Sequence, residues 1–228
     1  MRATGKLKDL LLVKLRNTNH KQHIRTLNSI DITVEISKDG NTIVYSEINK
    51  REVNEPASIR FGVCFNEDPY TLDIDFVNKD GGDIKLSSDG NILLVRYDNC
   101  NIKVFDLSTK SLSCISTINL TEHFNIYDIA TYKEQPVSLA INIDNKYIYI
   151  GLPTAKINDV NNAGEVLRYV FNETTNKYIF DTSMRGLCRT RVVQNDYFGY
   201  DIEINDCRLG SNNVLAVEGY ITRQTIIS

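Results

Sequence analysis

One local pattern recurs along the chain: a strand with apolar residues at alternate positions, a tight polar turn, then a more continuously apolar strand. The first copy has Ile30, Ile32, Val34 and Ile36, the turn Ser37-Lys38-Asp39-Gly40-Asn41, then Ile43-Val44-Tyr45. The second has Ile84 and Leu86, the turn Ser87-Ser88-Asp89-Gly90-Asn91, then Ile92-Leu93-Leu94-Val95. The third has Val137, Leu139, Ala140, Ile141 and Ile143, the turn Asp144-Asn145-Lys146, then Tyr147-Ile148-Tyr149-Ile150. The fourth has Ile202 and Ile204, a longer turn through Gly210-Ser211-Asn212-Asn213, then Val214-Leu215-Ala216-Val217. Alternation buries one face of the first strand. The unbroken apolar run of the second is expected where both faces of a mid-sheet strand are covered. Asp-Gly in the first two turns supplies the positive φ that a tight hairpin needs.

The turn aspartates Asp39 and Asp89 are 50 positions apart, and Asp89 and Asp144 are 55 apart. More strand-like sequence follows within the second unit. Ile102-Lys103-Val104-Phe105-Asp106-Leu107 precedes Ser108-Thr109-Lys110, and then Leu112 to Ile118. That is the rhythm of a four-stranded propeller blade of roughly 40–60 residues. A β-sandwich also spaces its strands closely, but it does not require one turn four times at similar intervals. The expected fold is therefore all-β, a β-propeller of about four blades or part of a larger one. It is read as a single domain over 1–228, with blade-like repeats at 28–80, 81–135, 136–195 and 196–228. An open row of blades exposes sheet edges and an apolar flank. Leu10-Leu11-Leu12-Val13-Lys14-Leu15 and His23-Ile24-Arg25-Thr26-Leu27 read as one or two strands. These N-terminal residues, 1–27, are expected to complete the short last blade, which ends in a strand from Ile221 to Ser228, and so close the ring. The alternative is half of a larger ring, made by homo-oligomerisation or with a partner.

The third unit adds a sharper resemblance. Tyr147 to Ile150 followed by Gly151-Leu152-Pro153, the polar stretch Asn158 to Asn162, and Ala163-Gly164-Glu165-Val166 resemble an FG-GAP repeat. Asp196-Tyr197-Phe198-Gly199-Tyr200 resembles the Phe-Gly start of the next such repeat, and Ser87 to Leu107 is similar to a WD40-type blade. The resemblance implies a propeller of the integrin α type. Gly-Leu-Pro stands where the family has Gly-Ala-Pro, and Glu218-Gly219-Tyr220 stands there in the fourth unit. Calcium-binding members carry an Asp-x-Asp-x-Asp-Gly loop. The turns here hold one or two acids, too few oxygen ligands for calcium, so no metal and no cofactor is expected.

Composition narrows the function classes. The 228 residues are 42% hydrophobic, enough for a sizeable core, and carry 26 basic and 29 acidic side chains without a long run of either sign. That balance argues against nucleic acid and against a polybasic membrane anchor. Leu10 to Val13 is too short for a signal-peptide core or a membrane span. Cys64, Cys100, Cys114, Cys188 and Cys207 are an odd number with no C-x-x-C pair, read as buried reduced thiols in a non-oxidising compartment. The expected location is cytoplasmic or virion-associated, the composition resembling that of AT-rich genomes.

Candidate chemistry is sparse. His20, His23 and His123 are scattered, and no Gly-x-Ser-x-Gly elbow or phosphate loop occurs. Ser37 to Gly40 and Ser87 to Gly90 are near misses to sialidase-type turn boxes, and Arg185, Arg189 and Arg191 are a weak counterpart of the arginine cluster of such enzymes. Asn66-Glu67-Asp68-Pro69 with Asp73 and Asp75 could pair carboxylates for glycoside hydrolysis. No catalytic residue is assigned. The expected function is a non-enzymatic binding or structural module recognising protein or glycan through blade loops, as in a virion component. The alternative is a small glycan-acting hydrolase or lyase with loop carboxylates. The long connections, Arg51 to Pro69, Glu122 to Pro136 and Thr154 to Ala163, would form the binding surface, with Tyr70, Tyr127, Asn158, Asp159, Asn161 and Tyr197 as its candidate residues.

Overall fold

The computed structural model describes residues 32–49, 58–65, 74–77, 83–98, 100–121, 123, 137–186, 194–205, 214–219 and 223–227. Among the described residues the regular structure is entirely β-strand. The first sheet is β1 (Ile32–Ile36), β2 (Thr42–Asn49), β3 (Ser58–Phe65) and β4 (Ile74–Val77). The second is β5 (Ile84–Leu86), β6 (Ile92–Arg96), β7 (Asn101–Asp106) and β8 (Ser113–Asn119). The third is β9 (Ser138–Ile141), β10 (Tyr147–Leu152), β11 (Glu165–Asn172) and β12 (Lys177–Arg185). The fourth is β13 (Asp201–Asn205), β14 (Val214–Glu218) and β15 (Arg223–Ile227). Each sheet is an antiparallel meander in chain order. The first strands β1, β5, β9 and β13 neighbour one another in succession. The sheets therefore fan out from a common axis as the blades of a β-propeller.

The repeated turn closes each of the first three β-hairpins next to the axis by the same hydrogen bonds. Ser37 Oγ donates to Asp39 Oδ1 at 2.6 Å and accepts from Thr42 N at 2.9 Å, while Asp39 accepts from Asn41 N at 2.9 Å and Asn41 Nδ2 at 2.6 Å. Ser87, Asp89, Asn91 and Ile92 reproduce this set. In the third turn Asn142 takes the place of serine: it donates to Asp144 and accepts from Tyr147 N at 2.6 Å. Asn145, at φ 58°, stands where Gly40 (74°) and Gly90 (76°) stand in the others. Asparagine tolerates that left-handed conformation, which explains how the third turn works without glycine. The turns also touch one another. Lys38 N donates to Ser88 O at 2.8 Å, and Asn145 Nδ2 donates to Asp89 Oδ2 at 2.7 Å.

The core lies between blades. Val44, Phe61, Val63 and Phe65 of the first pack on Ile84, Leu86, Leu93 and Val95 of the second. The opposite face of the second, with Leu94, Ile102 and Val104, packs on Ile148, Ile150 and Leu167 of the third. Tyr149 and Val166 then meet Ile202, Leu215 and Val217 of the fourth. The four apolar residues of β6, Ile92 to Val95, are all buried, as the unbroken apolar run required. Each such side chain contributes about 1.5–3 kcal/mol when fully covered.

Two expectations are corrected. The stretch from Arg51 to Pro69 is not one irregular loop, because Ser58–Phe65 is β3, whose alternating Phe61, Val63 and Phe65 face the second blade. Cys64 and Cys100 are only partly buried and Cys114 is exposed, so the thiols are not uniformly core residues. Residues 1–27, and with them the expected closing strands, lie outside the described residues. So do Cys188, Cys207 and the fourth repeat's turn, 210–213.

The turn carboxylates tie stability to acid pH. The Ser37 hydroxyl first, then Asn41 N, hold the Asp39 carboxyl below its ordinary value. At Asp89 desolvation acts upward and is the largest single influence, but hydrogen bonds from Ser87, Asn91 and Asn145 together outweigh it and leave the carboxyl lowered. Depressed folded-state values mean that this stability is fully present above about pH 4, the unfolded value, and is lost as pH falls through the folded values. Asp89→Asn is expected to cost about 1 kcal/mol at pH 7, the exposed setting screening a larger gain. It should also flatten the fall of Tm between pH 5 and pH 2; an unchanged acid limb in melts across that range would refute the assignment.

Candidate functional site

The turns just described lie at one end of the blades. The connection from β10 to β11 lies at the other end and is folded on itself. Ala155 N donates to Leu152 O at 3.0 Å, and Ala155 O accepts from Ala163 N and Gly164 N, each at 3.1 Å. Ile157 and Val160 exchange two backbone hydrogen bonds, 3.1 and 2.9 Å. Between them Asn158 (φ 48°) and Asp159 (φ 67°) are both left-handed, as a two-residue I′ hairpin turn demands. Buried Ala155, Ile157 and Ala163 anchor this loop in the core shared by the second and third blades. Its tip faces solvent: Asp159 is 96% exposed at the side chain and pairs with Lys156 at 3.1 Å.

The loop is sewn to the segment that begins the fourth blade. Asn195 N donates to Asn161 O at 3.1 Å, Tyr197 N to Asn162 O at 2.9 Å, and Phe198 N to Ala163 O at 3.2 Å. Asn162 Nδ2 reaches Asn195 Oδ1 at 3.0 Å and Tyr197 Oη at 3.3 Å. Phe198 is fully buried beneath the seam, packed with Tyr149 and Val166. Close approach of the two backbones is what glycine allows here. A Cβ on Gly164 (φ 82°) would overlap the backbone of Phe198, and one on Gly151 would overlap the carbonyl of Gly199. Ser138 Oγ, from the innermost strand, donates to that same carbonyl at 2.7 Å. Tyr197 itself sits at φ 54°, a conformation costing a bulky residue about 1–2 kcal/mol.

Four of the six candidate residues therefore belong to one surface. Asn158 and Asp159 form its tip; at the seam Asn161 accepts from Asn195, and Tyr197 donates to Asn162. Tyr70 and Tyr127 lie outside the described residues. Sequence reasoning missed Asn162 and Asn195, at φ 51° and 58°. Their signal was the clustering of asparagine in Asn161-Asn162 and Gln194-Asn195, next to glycine and aspartate, where left-handed turns are favoured. The half-exposed ring of Tyr200 completes the surface, 48% open to solvent.

Charges nearby are paired. Glu165, nearly buried, accepts from Arg185 Nε at 3.2 Å, and Asp181 accepts from Arg168 Nε at 2.6 Å. Arg189 and Arg191 lie outside the described residues, as do Asn66 to Asp73. Burial pushes the Cys64 and Cys100 thiols up, away from the reactive thiolate. Burial first, then the carboxylates of Asp89, Asp144 and Asp106, raise the Tyr178 phenol, which stays protonated and donates to Asn145 O. Among the described residues no three His, Cys, Asp or Glu side chains gather as a metal site would require. Among the described residues no helix is long and apolar enough to cross a membrane.

No protein-family model and no curated protein matches the chain. Solved structures do. The β-propeller domain of Cps50 (Swd1) from Myceliophteria thermophila aligns at TM-score 0.48 and 13% identity, over 86% of this chain and 52% of that one. The periplasmic gluconolactonase of Pseudomonas aeruginosa aligns at 0.44 and 9%, over 86% and 52%. TolB of Acinetobacter baumannii aligns at 0.41 and 15%, over 86% and 43%. The chain thus spans about half the length of the structures it matches or less. At these identities and scores the blade arrangement itself carries the fold.

Gly164→Ala is expected to lower stability by about 2–4 kcal/mol, through backbone overlap and a disfavoured φ. Asp159→Asn should change it by less than about 0.5 kcal/mol, since an exposed ion pair contributes little. Urea titrations of the two variants check the contrast, and equal midpoints would contradict it.

Proposed function

We propose that the chain is a non-enzymatic β-propeller module that binds a protein or glycan partner through the surface formed by residues 153–164 and 194–200. The observation that carries this reading is the seam: two loops from different blades, locked by backbone hydrogen bonds and by asparagines held left-handed. Such a surface loses little conformational entropy on binding. Asn158, Asn161 and Asn195 are exposed there beside Tyr200. Amides donate and accept together, and tyrosines add flat apolar faces, so the chemistry suits sugar hydroxyls in particular. Residues 153–164, the loop within the FG-GAP-like stretch 147–166, form the third-blade half of the same surface, in keeping with an adhesive or structural role such as that of a virion component.

The hydrolase alternative rests on loop carboxylates, Glu67, Asp68 and Asp73, that lie outside the described residues. Among the described acids, Glu35, Asp83, Asp159, Asp181 and Glu165 pair with Lys85, Arg96, Lys156, Arg168 and Arg185, and Asp39, Asp89 and Asp144 close turns. Screening the chain against a glycan array and a displayed peptide library tests the proposal. Asn161→Ala and Asp159→Ala, with Tm within a few degrees of the parent, are expected to weaken any selected ligand at least tenfold. Ligands that bind both variants at parental affinity would sink this surface as the site.

A further inference from the structure

Away from the repeated turn, the innermost hairpin of each of the first three blades has an equivalent facing pair: Thr33 with Ser46, Asp83 with Arg96, and Ser138 with Gly151. In the third blade an oxygen acceptor occupies this level. The carbonyl of Gly199 lies against Gly151 and accepts from Ser138 Oγ at 2.7 Å. In the second blade the same level holds a guanidinium. Ile92 and Leu94 face the third blade, and strand alternation gives Arg96 the same direction. Arg96 is only 6% exposed. Ile102, opposite it in register, belongs to the cluster that anchors the 153–164 loop through Ala155 and Ile157.

The hydrogen bonds of this guanidinium are one-sided. Nη1 donates to Asp83 Oδ2 at 2.9 Å, and the Asp83 side chain is 50% exposed. Nε is buried and has no hydrogen-bond partner among the described residues. Nη1 lies on the Cδ side of the fork, so Asp83 does not engage the opposite edge, where Nε–H and Nη2–H point the same way. A buried donor without an acceptor is costly, the more so on a charged group, and native proteins seldom keep one without a use. We propose that this edge binds a carboxylate, whose two oxygens take the Nε–H and Nη2–H bonds side by side. Guanidinium and carboxylate match in that planar arrangement, whereas a halide ion or a lone hydroxyl offers a single acceptor atom. Water around the half-exposed Asp83 screens its repulsion of a second carboxylate. The carboxylate belongs either to a small free acid or to an acidic side chain of a bound protein. This site needs none of the residues of the loop surface proposed above, so either can fail without the other.

The Nε–H resonance of Arg96, followed by NMR in the full chain, reads the edge directly. Sodium acetate is the probe for a free acid, with sodium chloride at equal ionic strength as control. N-acetyl-glutamate N-methylamide, whose one carboxylate is its side chain, is the probe for a protein source. Acetate is expected to move the resonance and slow its exchange with water, saturating between about 1 and 50 mM, while chloride does neither. Arg96→Lys keeps the charge and loses the edge, so it should weaken acetate at least tenfold, read at the Ile102 amide. Blocked glutamate that binds at least as tightly as acetate assigns the source to an acidic side chain; weaker binding assigns it to a small free acid. A resonance that neither probe moves, or that chloride moves equally, overturns the proposal, as does undiminished binding to a folded Arg96→Lys chain. A resonance already slow to exchange and unmoved by acetate assigns the edge to a bound water and overturns it as well. If Arg96→Lys does not fold, Asp83→Asn decides. With the neighbouring charge removed, acetate should bind at least threefold more tightly; unchanged or weaker binding rejects the site.

Discussion

A sheet whose middle strand is apolar on both faces has to be covered on both faces, and the rest of this molecule follows from that requirement. In β6, Ile92 and Leu94 face the third blade while Leu93 and Val95 face the first. No two-layer packing satisfies such a strand, because one of its faces would meet water. Stacking blade on blade does, and a right-handed twist within each sheet turns the stack into a fan about an axis. The polar turns then do a different job. They set the register of the innermost hairpins, and through Lys38 to Ser88 and Asn145 to Asp89 they tie neighbouring blades at the axis.

The free edges of the fan are protected by local irregularity. β12 is the outermost strand of the third blade, and its pairing with β11 slips between Arg168 and Tyr169 so that Asp181 bulges outward to its ion pair. A bulge and a charge on an edge strand both discourage pairing with a foreign strand. The neighbouring Phe180, 48% exposed, is covered in part by the rings of His123 and Tyr169.

The architecture was legible in the sequence because the repeat writes its register twice: once as a period-two pattern and once as a turn that needs a serine or asparagine, an aspartate, and a left-handed residue. β3 was overlooked for the opposite reason. Ser58 to Phe65 alternates correctly, but Arg60, Gly62 and Cys64 occupy its second face, and Gly62 is there because Tyr45 lies over it. A cross-strand partner 17 positions away in the chain explains a glycine that the strand's own pattern could not.

The candidate site was half legible, and the half that escaped is the more physical. Asn158, Asp159, Asn161 and Tyr197 stood out as polar or aromatic loop residues, which says nothing about why they share a surface. What joins them is backbone: three hydrogen bonds from 195–198 to 161–163, and a parallel bridge between Gly164 and Phe198. Those contacts depend on glycines without Cβ atoms and on asparagines in left-handed conformations, features that single-residue chemistry does not announce. The same features make the surface stiff. A loop that has already spent its conformational entropy on folding presents its amides in one arrangement, so under the proposed function affinity there would rest on complementarity with the partner and not on the cost of ordering the loop.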